Sequence, residues 1–456
     1  MRALVLPILL SLGSACGGAA SPDAGGRDAT AEPADGGGSP IDAGPGLDAG
    51  PATDAGPRDG GQLDAGTAAD PDQWVMGYYV SYQRDDYPIA EIDWSGLTHI
   101  AFSPLAVRGG PGYALDFSFS GAFGSDAAGR AFAMELAAAA HANGVRTILM
   151  LGGAGLSDNV RPAMTQDLDG FVARLLEAMD TLGYDGIDLD VEASNFATSD
   201  AIELARALRM ARPSILLSYP GGTVQYGTTV DPDLPELVTY LDRYFMQSYF
   251  GGNNGLFTGT DFRGMLFQSW FSSALHDPTE LHPYAIDWAL EQLVAAGIPA
   301  RKLGMGVAFY AACYLVPDTT PPGGSDVSAP RMPAYAPSSY CWDCGIGGGD
   351  NNFSLATLFA GGGPYSQGTP MFDAAAASPY LTFATPRNVS ACGGSTRYIV
   401  FEDEQSLMAK GAFSRANGYG GIIIWTIQQG YLPAGAAGGR PRNALMQALR
   451  RGFIAP

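Results

Sequence analysis

Basic residues are scarce in this chain: 25 Lys and Arg stand against 46 Asp and Glu, for a formal net charge of −21. A field of that sign repels phosphate backbones, so nucleic acid is excluded as a partner, while nothing is said about neutral ligands. Histidine is scarcer still. The four present, His99, His141, His276 and His282, fall in separate segments, so a His-based metal centre is not expected. The apolar run at the start, Ala3 to Leu12, is about half the roughly twenty residues that a membrane-spanning helix needs. Cysteine is limited to five positions. What the chain does have is length and apolar content: 456 residues, 46% hydrophobic, enough for one large buried core with additions.

The first residues read as an export signal, residues 1–16. Arg2 supplies the positive start, Ala3 to Leu12 the apolar stretch, and Gly13, Ser14 and Ala15 the small residues before Cys16. Small residues directly before a Cys resemble a bacterial lipoprotein cleavage site, which would make Cys16 the lipidated first residue of an outer-membrane or cell-surface protein. Gly13 stands where that pattern usually has Leu, so a secreted product of an ordinary signal peptide, or a buried Cys16, stays open. Membrane contact is expected only through such a lipid.

From Gly17 to Asp72 the chain is Ala, Gly, Asp and Pro with 11 acidic and 2 basic residues, −9 in all. Asp-Ala-Gly recurs at Asp23, Asp42, Asp48, Asp54 and Asp64. Side chains this small cannot offset the entropy of ordering, so residues 17–72 are expected to be a disordered tether. A calcium-binding repeat would want a strict period and alternating apolar positions.

The texture changes at Trp74. Eight short apolar segments come after it: Trp74 to Tyr82, Leu97 to Val107, Val145 to Gly153, Tyr184 to Glu192, Ile215 to Tyr219, Tyr244 to Tyr249, Leu303 to Tyr310 and Gly421 to Ile427. Amphipathic stretches lie between several of them. Phe171, Leu175, Leu176 and Met179 share a helical face before Gly183, a natural left-handed C-cap, and Ile286, Leu290, Leu293 and Val294 repeat the pattern before Gly297. Buried strands alternating with helices imply parallel pairing with both faces covered. Eight of them over residues 73–456 predict an α/β fold, a closed (β/α)8 TIM barrel, with a doubly wound open sheet as the rival.

Residues 311–398 interrupt the rhythm with Gly, Pro, Ser and aromatics, and predict a small α+β insertion between strands seven and eight. They hold Cys313, Cys341, Cys344 and Cys392. In an exported chain four cysteines read as two disulfides of unassigned pairing, although the Cys341-Trp-Asp-Cys344 spacing keeps a zinc site open.

The chemistry is concentrated in Asp185-Gly186-Ile187-Asp188-Leu189-Asp190-Val191-Glu192. Strand side chains alternate, so Asp188, Asp190 and Glu192 share one face and Ile187, Leu189 and Val191 the other. In a barrel strand the aliphatic set packs on the helices and the carboxyls point inward. Three carboxyls there cannot all ionise cheaply and titrate together. The outermost, at the strand's C-terminal end where barrel active sites open, is the natural one to keep its proton for general acid work. A solvated acidic face fits poorly among seven similar buried strands. A divalent-cation site is the third reading.

This segment resembles the D-G-x-D-x-D-x-E signature of the family-18 glycoside hydrolases, chitinases and their relatives. Gly77-Tyr78-Tyr79, Leu97-Thr98-His99-Ile100, Lys302-Leu303-Gly304 through Phe309-Tyr310 and Gly420 through Trp425 look like the family's first, second, seventh and eighth strands. Phe372-Asp373 and Ser378-Pro379-Tyr380-Leu381 resemble the insertion that raises one cleft wall in its deep-cleft branch. The resemblance implies a substrate-assisted retaining hydrolysis of β-1,4-linked N-acetylglucosamine polymers such as chitin. Glu192 would be the acid, Asp190 would hold the substrate acetamido group, and Asp188 beneath it would take up the shared proton. Tyr249 would bind the acetamido carbonyl, Trp425 would floor the sugar and Tyr78 would support Asp188. Gln247, Phe102 and Tyr310 are further substrate-binding candidates, and Asp185 is a structural acid. No cofactor or metal is implied, and a monomer acting on the glycan is expected.

Two departures stand out. Met150 occupies a position where the family commonly has Ser, and Phe250 comes after Tyr249 where it commonly has Asp or Asn. Both losses should alter the pH optimum and bear on rate or substrate. An endo-acting chitinase is the leading reading. The same chemistry on another N-acetylhexosamine glycan, and a non-catalytic chitin-binding protein, are the alternatives.

Overall fold

The computed structural model describes residues 73–224, 228–249, 270–277, 285–316, 330, 340–341, 353–389 and 394–454. The chain divides into two units, Met1–Ala69 and Asp70–Pro456, and every described residue belongs to the second. The expected signal, the tether and Cys16 lie outside the described residues.

Eight strands form the predicted barrel: β1 (Trp74–Val80), β2 (His99–Val107), β3 (Arg146–Gly152), β4 (Gly186–Asp190), β5 (Leu216–Gly221), β6 (Arg243–Met246), β7 (Leu303–Ala308) and β8 (Gly421–Trp425). Each pairs in parallel with its sequence neighbours, and β8 pairs with β1 to close the ring. The outer layer includes α1 (Asp126–Ala142), α2 (Val160–Leu182), α3 (Thr198–Ala211), α4 (Leu234–Tyr240), α5 (Ile286–Ala295), α6 (Glu404–Ala416) and α7 (Ala444–Leu449). Between β1 and β2 three 3-10 turns take the place of a helix. Gly183 does end α2 in the left-handed region, at φ 77°.

Strand alternation sorts side chains into two cores. Val75, Tyr79, Ile187, Leu189 and Ile422 belong to the core shared with the helices. Trp74, Met76, Tyr78, Met150, Phe245, Tyr249 and Ile423 fill the barrel interior. Its base is plugged by the indole of Trp74, which needs glycine on both neighbouring strands. A Cβ on Gly421 would lie 2.0 Å from the Trp74 ring, and one on Gly304 2.4 Å from it.

Between β7 and β8 the chain forms a second, antiparallel sheet from strands Tyr310–Val316, Tyr340–Cys341, Phe353–Ser354, Thr369–Asp373, Ser378–Val389 and Gly394–Val400. Single-turn helices Leu355–Leu358 and Pro364–Gln367 complete the α+β insertion. Cys313 is buried and a free thiol among the described residues. It packs among apolar neighbours, as a small hydrophobe does. Cys341 stands opposite it in strand register, but the side chain of Cys341, like Cys344 and Cys392, lies outside the described residues. No helix among the described residues is long and apolar enough to cross a membrane.

Candidate active site

The site begins on β4, whose parity turns Asp188 and Asp190 into the barrel while Ile187 and Leu189 join the outer core. Glu192 stands two residues beyond the strand's end, exposed at the C-terminal mouth. The end of β3 makes this arrangement possible. Gly152 and Gly153 take φ values of 95° and 101°, and Gly153 N–H donates to the Asp190 carbonyl at 2.6 Å. A Cβ on Gly152 would sit 2.5 Å from that same carbonyl oxygen, so only glycine lets the two strand ends approach. Beyond them, Ser157 Oγ accepts from Glu192 N–H at 3.1 Å and donates to the Gly153 carbonyl at 2.8 Å.

Asp188 is fully buried. One of its oxygens accepts from the Tyr78 hydroxyl at 2.5 Å and the other from the Ser218 hydroxyl at 2.6 Å. Burial raises its carboxyl to about 6, although the hydroxyls of Ser218 and Tyr78 favour the charged form and pull the other way. Asp190 is raised well above the ordinary carboxylate range too. Burial is the main cause, the charges of Glu192 and Asp188 add to it, and a hydrogen bond with Glu192 acts in the same direction. The sequence pointed to the outermost carboxyl as the keeper of the proton. The geometry adds that Asp190, one step deeper, is itself held above the ordinary carboxylate range by its burial beside the charges of Glu192 and Asp188. Asp190 Oδ1 is buried with no hydrogen-bond partner among the described residues.

Around the carboxyls, Gln247 Nε2 donates to Glu192 at 3.2 Å. The Tyr249 phenol is raised well above its ordinary range by burial and by the charges of Asp190, Glu192 and Asp188, with a hydrogen bond from Gln247 opposing. It therefore stays a hydroxyl, able to donate. Its ring fits because β7 carries Gly306, where a Cβ would meet the ring at 2.8 Å. The Tyr249 carbonyl accepts from Ser272 Oγ at 2.7 Å and from the Tyr310 hydroxyl at 3.2 Å. Trp425, partly exposed at the end of β8, lies with its ring centroid 5.2 Å from that of Tyr78.

Glu192, Asp190, Asp188, Tyr78 and Gln247 thus form one connected set, with Tyr249 and Trp425 beside them. One expected contact with substrate is corrected. Phe102 is level with Tyr79 in the β1–β2 register and shares its outward parity, so it is buried among Tyr79, Phe119 and Phe132 in the helix-facing core. Tyr310 is buried in the barrel-interior cluster with Tyr249, to whose carbonyl its hydroxyl donates. Asp185 lies at the opposite end of β4, bonded to Thr147 N–H at 2.8 Å and His141 Nε2 at 2.9 Å, and ties the base of the barrel together. Met150 is buried in the interior, level with Asp188 on one side, while Ser218 is level with it on the other. The polar support absent at Met150 is supplied from β5. Ser218 and Ser157 went unread in the sequence; an inward-parity Ser on the strand next to the acidic one was the available signal for the first. Among the described residues no group of three or more His, Cys, Asp or Glu side chains is placed to hold a metal ion.

A closed barrel with coupled carboxyls at its C-terminal mouth defines a glycoside-hydrolase type of site. The model of the glycosyl hydrolases family 18 matches residues 74–430, and the chain belongs to that family. A "chitinase-like effector" of Moniliophthora perniciosa is 24% identical over 429 residues, covering 86% of this chain and 90% of the relative. Among solved structures, a group IV chitinase of Ostrinia furnacalis in complex with allosamidin superposes with a TM-score of 0.63 at 16% identity, covering 83% of this chain and 98% of the other. A class V chitinase of Nicotiana tobaccum in complex with NAG4 gives 0.61 at 16%, covering 84% and 99%. At such identities these likenesses speak for the fold.

Proposed function

We propose that the protein hydrolyses β-1,4-linked N-acetylglucosamine polymers by a substrate-assisted, retaining route. The observation that carries this reading is the orphaned Asp190 Oδ1, buried beside Glu192. A buried acceptor without a donor is costly, and a substrate acetamido N–H would satisfy it. Glu192, at the mouth, gives its proton to the glycosidic oxygen as that bond breaks. The acetamido oxygen attacks the sugar carbon, and the oxazolinium ion so formed is opened by water. Asp190 turns acceptor toward the acetamido N–H as the positive charge develops, and Asp188 beneath it takes up the displaced proton. Tyr249 donates to the acetamido carbonyl, and Trp425 floors the sugar. The relatives crystallised with allosamidin and NAG4 support this substrate class.

The test is the requirement for the acetyl group. Oligomers of N-acetylglucosamine should be cut with the β-anomer appearing first by proton NMR, and fully deacetylated oligomers should not be cut. Equal cleavage of both, or α-anomer first, would overturn the route. A second reading, glycan binding without turnover, is favoured by the relative named a chitinase-like effector. It predicts oligomer binding and no product.

A further inference from the structure

A cavity of about 350 Å³ lies on the same face of the barrel as Glu192 and is lined by Tyr113, Arg161, Pro162, Thr165, Gln166 and Asn195. Its residues come from three βα connections. Tyr113 sits on the turn after β2, the α2 residues come after β3, and Asn195 lies three positions after Glu192. Three residues span at most about 11 Å, so the cavity opens close to the catalytic mouth. None of its residues takes part in the carboxyl network.

Two features mark it as a place for a ligand. Tyr113 is a non-glycine residue held at φ 42°, in a turn closed by its N–H to the Gly110 carbonyl at 3.2 Å. Such backbone strain persists where the surroundings dictate it, and it gathers at ligand clamps. The polar groups are also arranged for a neutral partner. Arg161 is the one charged residue in the lining, and its Nε is paired with Asp200 at 3.1 Å. That pairing fixes the guanidinium and offsets its charge while leaving its remaining N–H groups to donate. Asn195 is tethered through Nδ2 to the Asp158 carbonyl at 3.4 Å, leaving its amide oxygen to accept. Gln166 adds a second amide and Thr165 a hydroxyl. One aromatic face with amides, a hydroxyl and a neutralised cation matches a sugar ring, in a volume at the small end of ligand sites.

We propose that this cavity is an outlying saccharide subsite, which takes an N-acetylhexosamine unit of the same chain several sugars away from the bond being cut. The proposal rests on the function proposed above. Its consequence is a dependence on chain length: long oligomers reach the cavity and short ones do not.

The experiment uses the full chain carrying Glu192→Gln, which retains binding without turnover. Calorimetric titration with the trimer and the hexamer of N-acetylglucosamine is compared before and after adding Tyr113→Gly or, separately, Gln166→Ala. Glycine removes the ring yet tolerates the positive φ. Losing one or two contacts of ordinary strength corresponds to about 3- to 10-fold in affinity. That loss is expected for the hexamer, with the trimer unchanged, and in the Glu192 background the shortest cleavable oligomer should be turned over at the parent rate. Equal effects on both lengths, or none on either, would overturn the subsite while leaving the hydrolase reading intact. Should the parent cut no oligomer and Glu192→Gln bind none, both readings fall together.

Discussion

Replacing Asp188 by Asn should make the protein more stable and inactive at once, and the pH dependence of the gain is set by the site. Asp188 is fully buried, and its carboxyl rises from an ordinary 3.8 to about 6. A carboxyl held higher in the folded than in the unfolded state binds its proton more tightly when folded, so stability is lost as pH rises through that interval. Below about pH 4 both states are protonated and the carboxyl costs nothing. Above about pH 6 the folded state must carry a buried charge that the unfolded state leaves in water. At 1.36 kcal/mol per pH unit, an interval of about two units is worth roughly 3 kcal/mol. Asn keeps the shape without the charge, and the hydroxyls of Tyr78 and Ser218 can turn to accept from its amide. Urea unfolding of parent and Asp188→Asn from pH 3.5 to 8 checks this. The curves should nearly meet at the acid end and separate to about 3 kcal/mol in favour of the variant above pH 6. A difference that is flat with pH, or one that grows toward acid, would refute the reasoning.

Residues around the site and in the adjoining core give two further expectations. Ser218→Ala removes one of the two hydroxyls that restrain Asp188. A hydrogen bond to a charged group is worth about 1.5 kcal/mol or more, so the pH profile of kcat/KM should move upward by about one pH unit; an unmoved profile would count against the role. Lys410→Met strands Glu402, which is buried between both of its 2.8 Å contacts with Lys410 Nζ and the hydroxyls of Ser273 and Ser406. Breaking such a pair costs about 3–5 kcal/mol, read by denaturant unfolding at pH 7, and adding Glu402→Gln should recover most of the loss.

The barrel was legible because its strands are buried on both faces: runs such as Val145 to Gly153 and Gly421 to Ile427 carry little besides apolar residues, and each became a strand. The acidic strand was legible because alternation over Asp188, Leu189 and Asp190 separates charge from aliphatic packing within the sequence itself. What depends on register between strands was not. Phe102 reads as an inward aromatic until β1 and β2 are aligned, which puts it level with Tyr79 on the helix side. Ser218 becomes a partner of Asp188 only once β4 and β5 are side by side, and Ser157 reaches Glu192 only because two glycines let the end of β3 close on β4. The state of the two inner carboxyls also depends on depth. Spacing along the strand shows three carboxyls on one face, whereas burial and the neighbouring charges are what raise Asp188 and Asp190.

Catalysis by this barrel requires that Glu192 deliver a proton to a bond between two sugars. Product analysis on N-acetylglucosamine oligomers, parent and Glu192→Gln side by side, tests that most directly. The parent should release shorter oligomers, and the variant should be slower by about 100-fold or more, the least that a positioned general acid contributes, while still binding the oligomer. Turnover at the same rate in both proteins would contradict it.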